Sequence, residues 1–531
     1  MKQKTTLFLL FLFAFYGAFE WATLFPFYPI ADFAGDMLTT NKIKDEGVLF
    51  IGHWSTWGFN HPGPFWLYYN YFIENILQIF NLNRLQMWRI GASFISSIFI
   101  LFSAFSLSHY FFKKFDAVFS FIFIFLFCHF VEQVGNLWMP WRIVAPCCAF
   151  FICLLHLARG HLNYILPAVF LSCILIHGYA TMPIFTLPFL LVAFLIGLKK
   201  QRDLKPFKTI FIFSILITLL FASPIIIDYF LNKPHSNLET MLAANAAMQE
   251  KKHPQLNSII YEIFYRWLNK NESAYSANPD YTFLLLLPIV GILLLSKKQK
   301  PSFNRHYFQK LFGIIILMLL FYSLSIFYFW RFTFAPGFAP FLVYSAYYLT
   351  ALPPILMAAL LVPFYTEKIK FQWLWVILAI ILILILHLQL ELPSVRTNHQ
   401  IKIISNAIKN IGKEKINIGL DYIPSDYKNG EIIYSVLFKE VKISSQTPPN
   451  NFGHSNFNNE LTWFILGLLE ELNQQNIHAC VVNTLNISPP MFTQKHICNK
   501  TDNANILLTK PENCKKNCLG ISENFGLIKI K

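Results

Sequence analysis

The sequence is cut into blocks of about twenty residues almost free of charge, and this limits the folds open to it. Thr209–Ile227 and Phe371–Leu390 contain no Asp, Glu, Lys or Arg. A helix rises about 1.5 Å per residue, so such a block matches a hydrocarbon core about 30 Å thick. Only 13% of all residues are charged and 55% are hydrophobic, whereas an ordinary soluble domain carries about 25% charged residues. The pattern predicts an α-helical polytopic membrane protein. The candidate spans are 6–25, 90–111, 117–134, 143–158, 163–178, 181–198, 209–231, 281–297, 310–330, 339–363 and 371–391, about eleven transmembrane helices. The division between 163–178 and 181–198 rests on Gly178 and Pro183 breaking one long apolar stretch. The apolar segment 65–80 is short for a span and contains Glu74, so it reads as an interfacial or re-entrant helix.

Charge predicts the orientation. Lys2 and Lys4 precede an apolar run like that of a secretory signal, but no small-residue cleavage site follows, so the run reads as a retained first helix. With eleven spans the N-terminus is cytoplasmic and the C-terminus extracytoplasmic. The inner loops then hold seventeen Lys and Arg, among them Lys113, Lys114 and the cluster at 199–208, while the short outer turns hold only Arg84, Arg89, Arg142 and Arg331. That is the positive-inside asymmetry. It accounts for most of the net charge of +15 as a topology signal and argues against a nucleic-acid partner. The expected home is the inner (plasma) membrane.

The chain divides into a polytopic domain at 1–392 and a polar remainder at 393–531. The membrane domain has a large first outer loop at 26–64 and a second at 232–280. In the remainder, Ile401–Ile411 and Leu461–Leu472 have helical spacing. Lys415–Tyr422, Glu431–Ser444, HACVV and NILLT read as strands. This predicts a small extracytoplasmic α/β domain. Its four cysteines, Cys480, Cys498, Cys514 and Cys518, suit two disulfides in an exported domain, with 480–498 and 514–518 one of three pairings. A zinc site is the weaker alternative. Cys128, Cys147, Cys148, Cys153 and Cys173 fall in membrane helices and read as packing residues.

No P-loop, GxGxxG, HExxH or GxSxG motif is present. The chemistry-bearing residues gather in the first outer loop, PFYPIADFAGDMLTTNKIKDEGVLFIGHWSTWGFNHPGP. Asp32 and Asp36 are four apart, so a helix would place both on one face, just beyond the first span. Asn60-His61-Pro62-Gly63-Pro64 makes a stiff turn, because proline fixes φ and glycine admits close approach. The turn sets an imidazole and an amide among aromatics that include His53, Trp54, Trp57, Phe59 and Trp66. An interfacial aromatic belt explains the rings but not the polar hinge.

A first helix, a long outer loop with an early acidic residue and a proline hinge followed by aromatics together resemble the GT-C superfamily. ADFAGDMLTT…GHWSTWGFNHPGPFWLYY looks like bacterial GT-C-like membrane proteins whose first loop ends in an NHPGP segment. LIHGYATMP and SPIIIDYFLNKPHSNL resemble two further stretches of that group, and the likeness covers roughly residues 1–240. The chain departs from better-known members, which carry an Asp-Glu pair and a Lys-Pro-Pro hinge where it has Asp32-Phe33 and His61-Pro62-Gly63-Pro64.

The resemblance implies a glycosyltransferase that moves a sugar from a polyprenyl-phosphate donor to an extracytoplasmic acceptor in the cell envelope. Its partners would be the lipid-linked donor and membrane lipids. Asp32 would be the general base, with Asp36 supporting it or sharing a divalent cation with it. Asn60, His61 and Trp57 would line the substrate site. Arg142 and Arg331, at outer helix ends beside tryptophan, would meet the lipid phosphate through the bidentate fork of arginine, or serve as snorkelling anchors. His177, inside an apolar helix, is either a satisfied core histidine or part of the site. Two other classes remain open: a transporter or flippase for a lipid-linked or small substrate, and a membrane sensor with a C-terminal binding domain. A transporter should show repeat symmetry and broken helices near the midplane, and neither is visible in the sequence.

Overall fold

The protein is described by a computed structural model. It covers residues 31–111 except 54 and 56–58, scattered positions between 119 and 130, and 134–249 except 202. Beyond these it covers parts of 255–260, 305–332, 347–365 and separate segments of 405–529. The predicted spans at 6–25, 281–297 and 371–391 lie outside the described residues, as does much of 117–134.

Eleven helices are labelled here, all among the described residues. On the loop side they are α1 (Ala31–Glu46), α2 (Phe65–Leu77) and α3 (Arg84–Phe111). Then come α4 (Met139–Arg142), α5 (Val144–Ala158), α6 (Ile165–Gly178), α7 (Met182–Leu198) and α8 (Lys208–Leu231). The last are α9 (Asn237–Gln249), α10 (Arg305–Phe332) and α11 (Leu352–Tyr365). Among the described residues four stretches are long and apolar enough to cross a membrane: α3, α4 with α5, α8 with the turn before it, and α10. Shorter apolar helices follow at 162–178, 182–198 and 348–360.

The division between α6 and α7 is present. α6 ends at Gly178, Tyr179 turns to extended backbone (φ −152°, ψ 127°), and Pro183 opens α7. Proline suits that position because the first helical N–H has no intrahelical partner anyway.

Burial sorts these helices. α5 is enclosed by α3, α6 and α7, and every residue from Val144 to Leu157 is buried. Cys147, Cys148 and Cys153 are free thiols packed in that core. By contrast α8 buries only Ser214 and Asp228, and Ile212, Phe213, Leu216, Leu219 and Leu220 stand outward. In water such a face would be a liability; in lipid it is the expected outer wall.

α2 is thirteen residues long, so it spans only about 20 Å and is too short to cross the hydrocarbon. It continues through a short turn at Gln78–Phe80 and ends at Asn81 in the left-handed conformation (φ 54°). Phe72, Ile76, Ile79 and Phe80 are exposed along it, while Glu74 is buried.

α3 starts six residues before the expected 90, which draws Arg84 and Arg89 out of the predicted turn and into the buried wall of the helix. Arg84 is stabilised there by partners. Its Nε donates to Glu74, and its Nη1 donates to Asn41 (2.8 Å) and to Glu470 (2.8 Å). Glu74 also pairs with Lys44 (3.0 Å) and accepts from the indole of Trp88. Glu470 lies in the helical segment 467–472, so that segment sits directly on α1 and the start of α3.

The C-terminal part contains a five-stranded sheet ordered β4-β1-β5-β7-β6. Its strands are β1 (Lys415–Leu420), β4 (His478–Val481), β5 (Ile506–Thr509), β6 (Cys518–Ile521) and β7 (Gly526–Lys529). β4, β1 and β5 run parallel, and β7 and β6 return antiparallel. Within the expected strand run at 431–444 the described residues are β2 (Ile432–Ile433) and β3 (Lys442–Ile443), paired antiparallel. β6 and β7 are absent from the sequence expectation, because Gly526 and Gly520 interrupt the apolar alternation that marks a strand.

The sheet order bears on the cysteines. Cys480 lies on the edge strand β4 and Cys518 on the opposite edge strand β6. Four strand spacings of about 4.8 Å separate them, far beyond the roughly 7 Å between Cα atoms that a disulfide spans. A 480–518 bridge is therefore excluded. Cys498 and Cys514 lie outside the described residues.

Candidate functional site

The first outer loop folds back on itself. α1 carries its first half, and residues 52, 53 and 55 then pair antiparallel with 59 and 61 as a narrow ribbon. Its rungs are Gly52 N–H to His61 O (2.9 Å), His61 N–H to His53 O (2.7 Å) and Ser55 N–H to Phe59 O (2.8 Å). This pairing sets the His53 and His61 rings side by side, centroids 5.4 Å apart. Gly52 is required at the ribbon's entry, since a Cβ there would lie 2.6 Å from the Gly63 carbonyl oxygen. The ribbon faces α1, and Nδ1 of His53 lies 3.8 Å from a carboxylate oxygen of Asp36.

His61 is buried. Its Nδ1 accepts from the Ala180 N–H (3.1 Å), and its ring stacks on Tyr179 (centroids 4.9 Å, 27°). Both partners come from the break between α6 and α7. Burial holds the His61 pKa down at about 3, so the ring is neutral near pH 7. His53 is 4% exposed. Its pKa is also pushed well below the usual histidine value, first by burial and then by His61 and Arg142. Neither ring nitrogen of His53 has a hydrogen-bond partner among the described residues, although the Gly178 backbone comes near.

The hinge is fixed from two sides. Asn60 donates its N–H to Asn237 Oδ1 (2.8 Å), and Asn237 Nδ2 donates to Asn60 O (2.8 Å). Asp228, near the end of α8, is buried. It accepts from the Asn237 N–H and from Asn232 Nδ2, each at 2.8 Å. The first and second outer loops are thereby joined at the hinge. On the other side Gly63 packs flat on His177, where an added Cβ would lie 2.3 Å from the ring. His177 Nδ1 accepts from the Phe65 N–H (3.3 Å) and its Nε2 donates to Phe221 O (2.8 Å). Both nitrogens are occupied, so His177 is a core clamp tying α2, α6 and α8 together.

The two arginines differ. Arg142 is 2% exposed. Its guanidinium lies 4.4 Å from the Trp66 ring centroid and 5.6 Å from that of Tyr69, and Nη2 donates to Asn70 Oδ1 (2.8 Å). It lies within electrostatic range of Asp36 and His53, and its Nε has no hydrogen-bond partner among the described residues. Arg331 is exposed near the end of α10 beside Trp330. The side chains of Asp32 and Trp57 lie outside the described residues, although Asp32 is in the first turn of α1. Asp36, His61 and Arg142 are thus brought to one place, and Asn60 stands at its edge. His53 is the residue the sequence reading counted only among the aromatics. The signal for it is the two-residue alternation of the ribbon, which Gly58 and the tryptophans obscure.

No family model and no curated protein matches this sequence. Among solved structures the chain is similar to ArnT from Cupriavidus metallidurans, a crystal structure bound to undecaprenyl phosphate. The TM-score is 0.50 at 9% identity, over 99% of this chain and 97% of that one. The likeness is one of fold. It supports the polytopic membrane fold that the sequence suggests.

Proposed function

We propose that this chain is a membrane glycosyltransferase that moves a sugar from a polyprenyl-phosphate donor to an extracytoplasmic acceptor. One observation carries the reading: the two ends of the first outer loop meet, so that Asp36, the His53–His61 pair and Arg142 share one site beneath the hinge. A GT-C-like fold and a structural neighbour solved with undecaprenyl phosphate support the class of donor. Asp32 and Asp36, one helical turn apart on α1, are the candidate bases for the acceptor hydroxyl. Arg331, exposed beside Trp330 at a helix end, suits the lipid phosphate at the membrane surface. Arg142 is enclosed and acts as fixed positive charge behind the site. A divalent cation would take Asp32 and Asp36 as ligands. Among the described residues no third histidine, cysteine or carboxylate joins them as a metal cluster.

In this reading residues 1–392 form the membrane domain, with the N-terminus cytoplasmic, and 393–531 form the extracytoplasmic domain. The contact of Glu470 with Arg84 and Asn41 supports a C-terminal part on the same side as the first loop. A reporter active only outside the cytoplasm, fused after Lys531, should be active.

The function is tested with purified protein in vesicles supplied with polyprenyl-phosphate sugars. Envelope glycans of a deletion strain, compared by mass spectrometry, identify the acceptor. Wild type should transfer sugar, and Asp32→Asn or Asp36→Asn should lose transfer by at least 10²-fold, the scale of general-base catalysis, with normal abundance. Full activity in both variants, or an unchanged glycan profile on deletion, would overturn the reading.

A further inference from the structure

The buried ring of His53 is not accounted for by packing. A buried polar group without a hydrogen bond is costly, and native proteins keep few of them. His53 has two such nitrogens among the described residues, in a neighbourhood that satisfies its companions: His61 has Ala180, and His177 has Phe65 and Phe221. The nearest charged group to His53 is Asp36, at 3.8 Å from Nδ1, less than an ångström beyond a hydrogen bond. Asp36 is half-buried, with its side chain 15% exposed, while that of His53 is 5% exposed. The carboxylate can therefore meet a substrate and the imidazole stands behind it.

We infer that His53 is a positioning residue for Asp36: its neutral ring donates Nδ1–H to one carboxylate oxygen and turns the other toward the acceptor hydroxyl. The inference rests on the glycosyltransferase reading for its chemistry, but not for the pairing itself. In the transfer step the acceptor oxygen bonds to the anomeric carbon and its proton passes to Asp36. The bond from that carbon to the phosphate oxygen breaks, and the electron pair leaves with the polyprenyl phosphate. His53 neither gains nor loses a proton. The gap of 3.8 Å is the kind that closes when a site fills, since catalytic hydrogen bonds are often long in unliganded proteins.

The groups facing His53 explain why it stays a neutral donor. His61 is on the facing strand of the ribbon, Arg142 ends α4 and His177 lies near the end of α6, while the Gly178 backbone acts the other way, favouring a proton on the ring, and Asp36 on α1 brings a carboxylate to 3.8 Å. Burial first, and then the positive charge of Arg142, oppose a second proton on the ring. A donor to the ionised form of Asp36 favours that form, so removing it lets protonation of Asp36 begin at higher pH.

The test uses full-length protein in vesicles with a polyprenyl-phosphate sugar as donor. His53→Ala should lower kcat by about tenfold or more with KM for the donor within about twofold, and should move the acid limb of the pH–rate profile up by about one unit. His53→Asn places an amide N–H where Nδ1–H stood and should restore the acid limb; His53→Gln, which mimics Nε2, should not. An unmoved acid limb in His53→Ala, or equal behaviour of Asn and Gln, overturns the inference. A second readout needs no activity. In protein labelled with 15N-histidine, the signal absent from His53→Asn is that of His53, and Asp36→Asn should shift its tautomer balance and titration. No shift overturns the pairing. A shift in a protein that transfers no sugar keeps the pairing and overturns the glycosyltransferase reading instead.

Discussion

Replacing Arg84 by methionine should loosen the C-terminal part from the first outer loop. Arg84 is 5% exposed and holds two carboxylates, Glu74 and Glu470, together with Asn41. With Lys44 the group carries two positive and two negative charges. Methionine fills a similar volume but strands the anions unequally. Glu74 keeps Lys44 and Trp88, whereas Glu470 keeps only the amides of Asn41 (3.5 Å) and Gln474 (3.1 Å). Breaking a buried pair from one side costs about 3–5 kcal/mol, so opening of this contact should rise on the order of 10²- to 10³-fold. Glu470→Gln keeps the shape and an acceptor for Arg84, and should cost roughly 1–2 kcal/mol. Lys44 is 46% exposed, so Lys44→Met should cost about 1 kcal/mol at most. The assay is the rate of proteolytic release of the C-terminal part, with protease dilute enough that release follows the opening equilibrium. The Arg84→Met, Glu470→Gln double variant should fall short of the summed singles by about 1 kcal/mol, because the two share one contact. Release of Arg84→Met at the Lys44→Met rate, or strict additivity, would refute the argument.

Gly63→Ala should destabilise the protein by roughly 1–3 kcal/mol, the range for overpacking a filled core, because its Cβ meets the His177 ring. Thermal unfolding in detergent measures this, and Gly47→Ala, with open space around its Cβ, is the control for added volume. The His61 pKa of about 3 lies below the unfolded value of 6.5. The unfolded state therefore takes up the proton first, and the stability from neutral burial is complete above pH 6.5 and lost as pH falls toward 3. The loss reaches about 4–5 kcal/mol at full extent. His61→Asn, which keeps an acceptor for the Ala180 N–H, should flatten the fall in melting temperature between pH 7 and pH 5. Thiol labelling with and without reductant, mapped by mass spectrometry, should find oxidised cysteines in the C-terminal part of exported protein but no 480–518 peptide. Four reactive thiols before reduction would count against its export.

The helices were legible in the sequence where a single property decides them. Apolar length alone marks α3, α8 and α10, and Pro183 after Gly178 marks the break between α6 and α7. The early start of α3 was hidden because Arg84 and Arg89 read as surface charges, and Arg84 is tolerable in a buried helix through partners on three other segments, one of them 386 residues away. The burial of Asp228 is hidden in the same way, since its partner Asn237 belongs to the next helix. Within the site, the stiff NHPGP hinge was evident from proline and glycine chemistry. What it clamps was not: Gly63 against His177 is a contact between residues with no common period. His53 was seen only as one aromatic ring among several, since its pairing with Asp36 depends on the ribbon and α1 facing each other.

The link from Arg84 to Glu470 also sets an order of events in the making of the protein. A ribosome working at about 5–20 residues per second needs roughly 20–80 s to travel between the two. Through that interval the membrane helices can insert and the first loop can fold against them, but Arg84 waits with one carboxylate instead of two. The loop that holds Asp36 is finished only when the segment at 467–472 arrives. A chain released before that point would carry nearly all of its membrane-spanning apolar surface and an unlatched outer loop. Latching therefore reports that the segment at 467–472 has been made and has reached the loop.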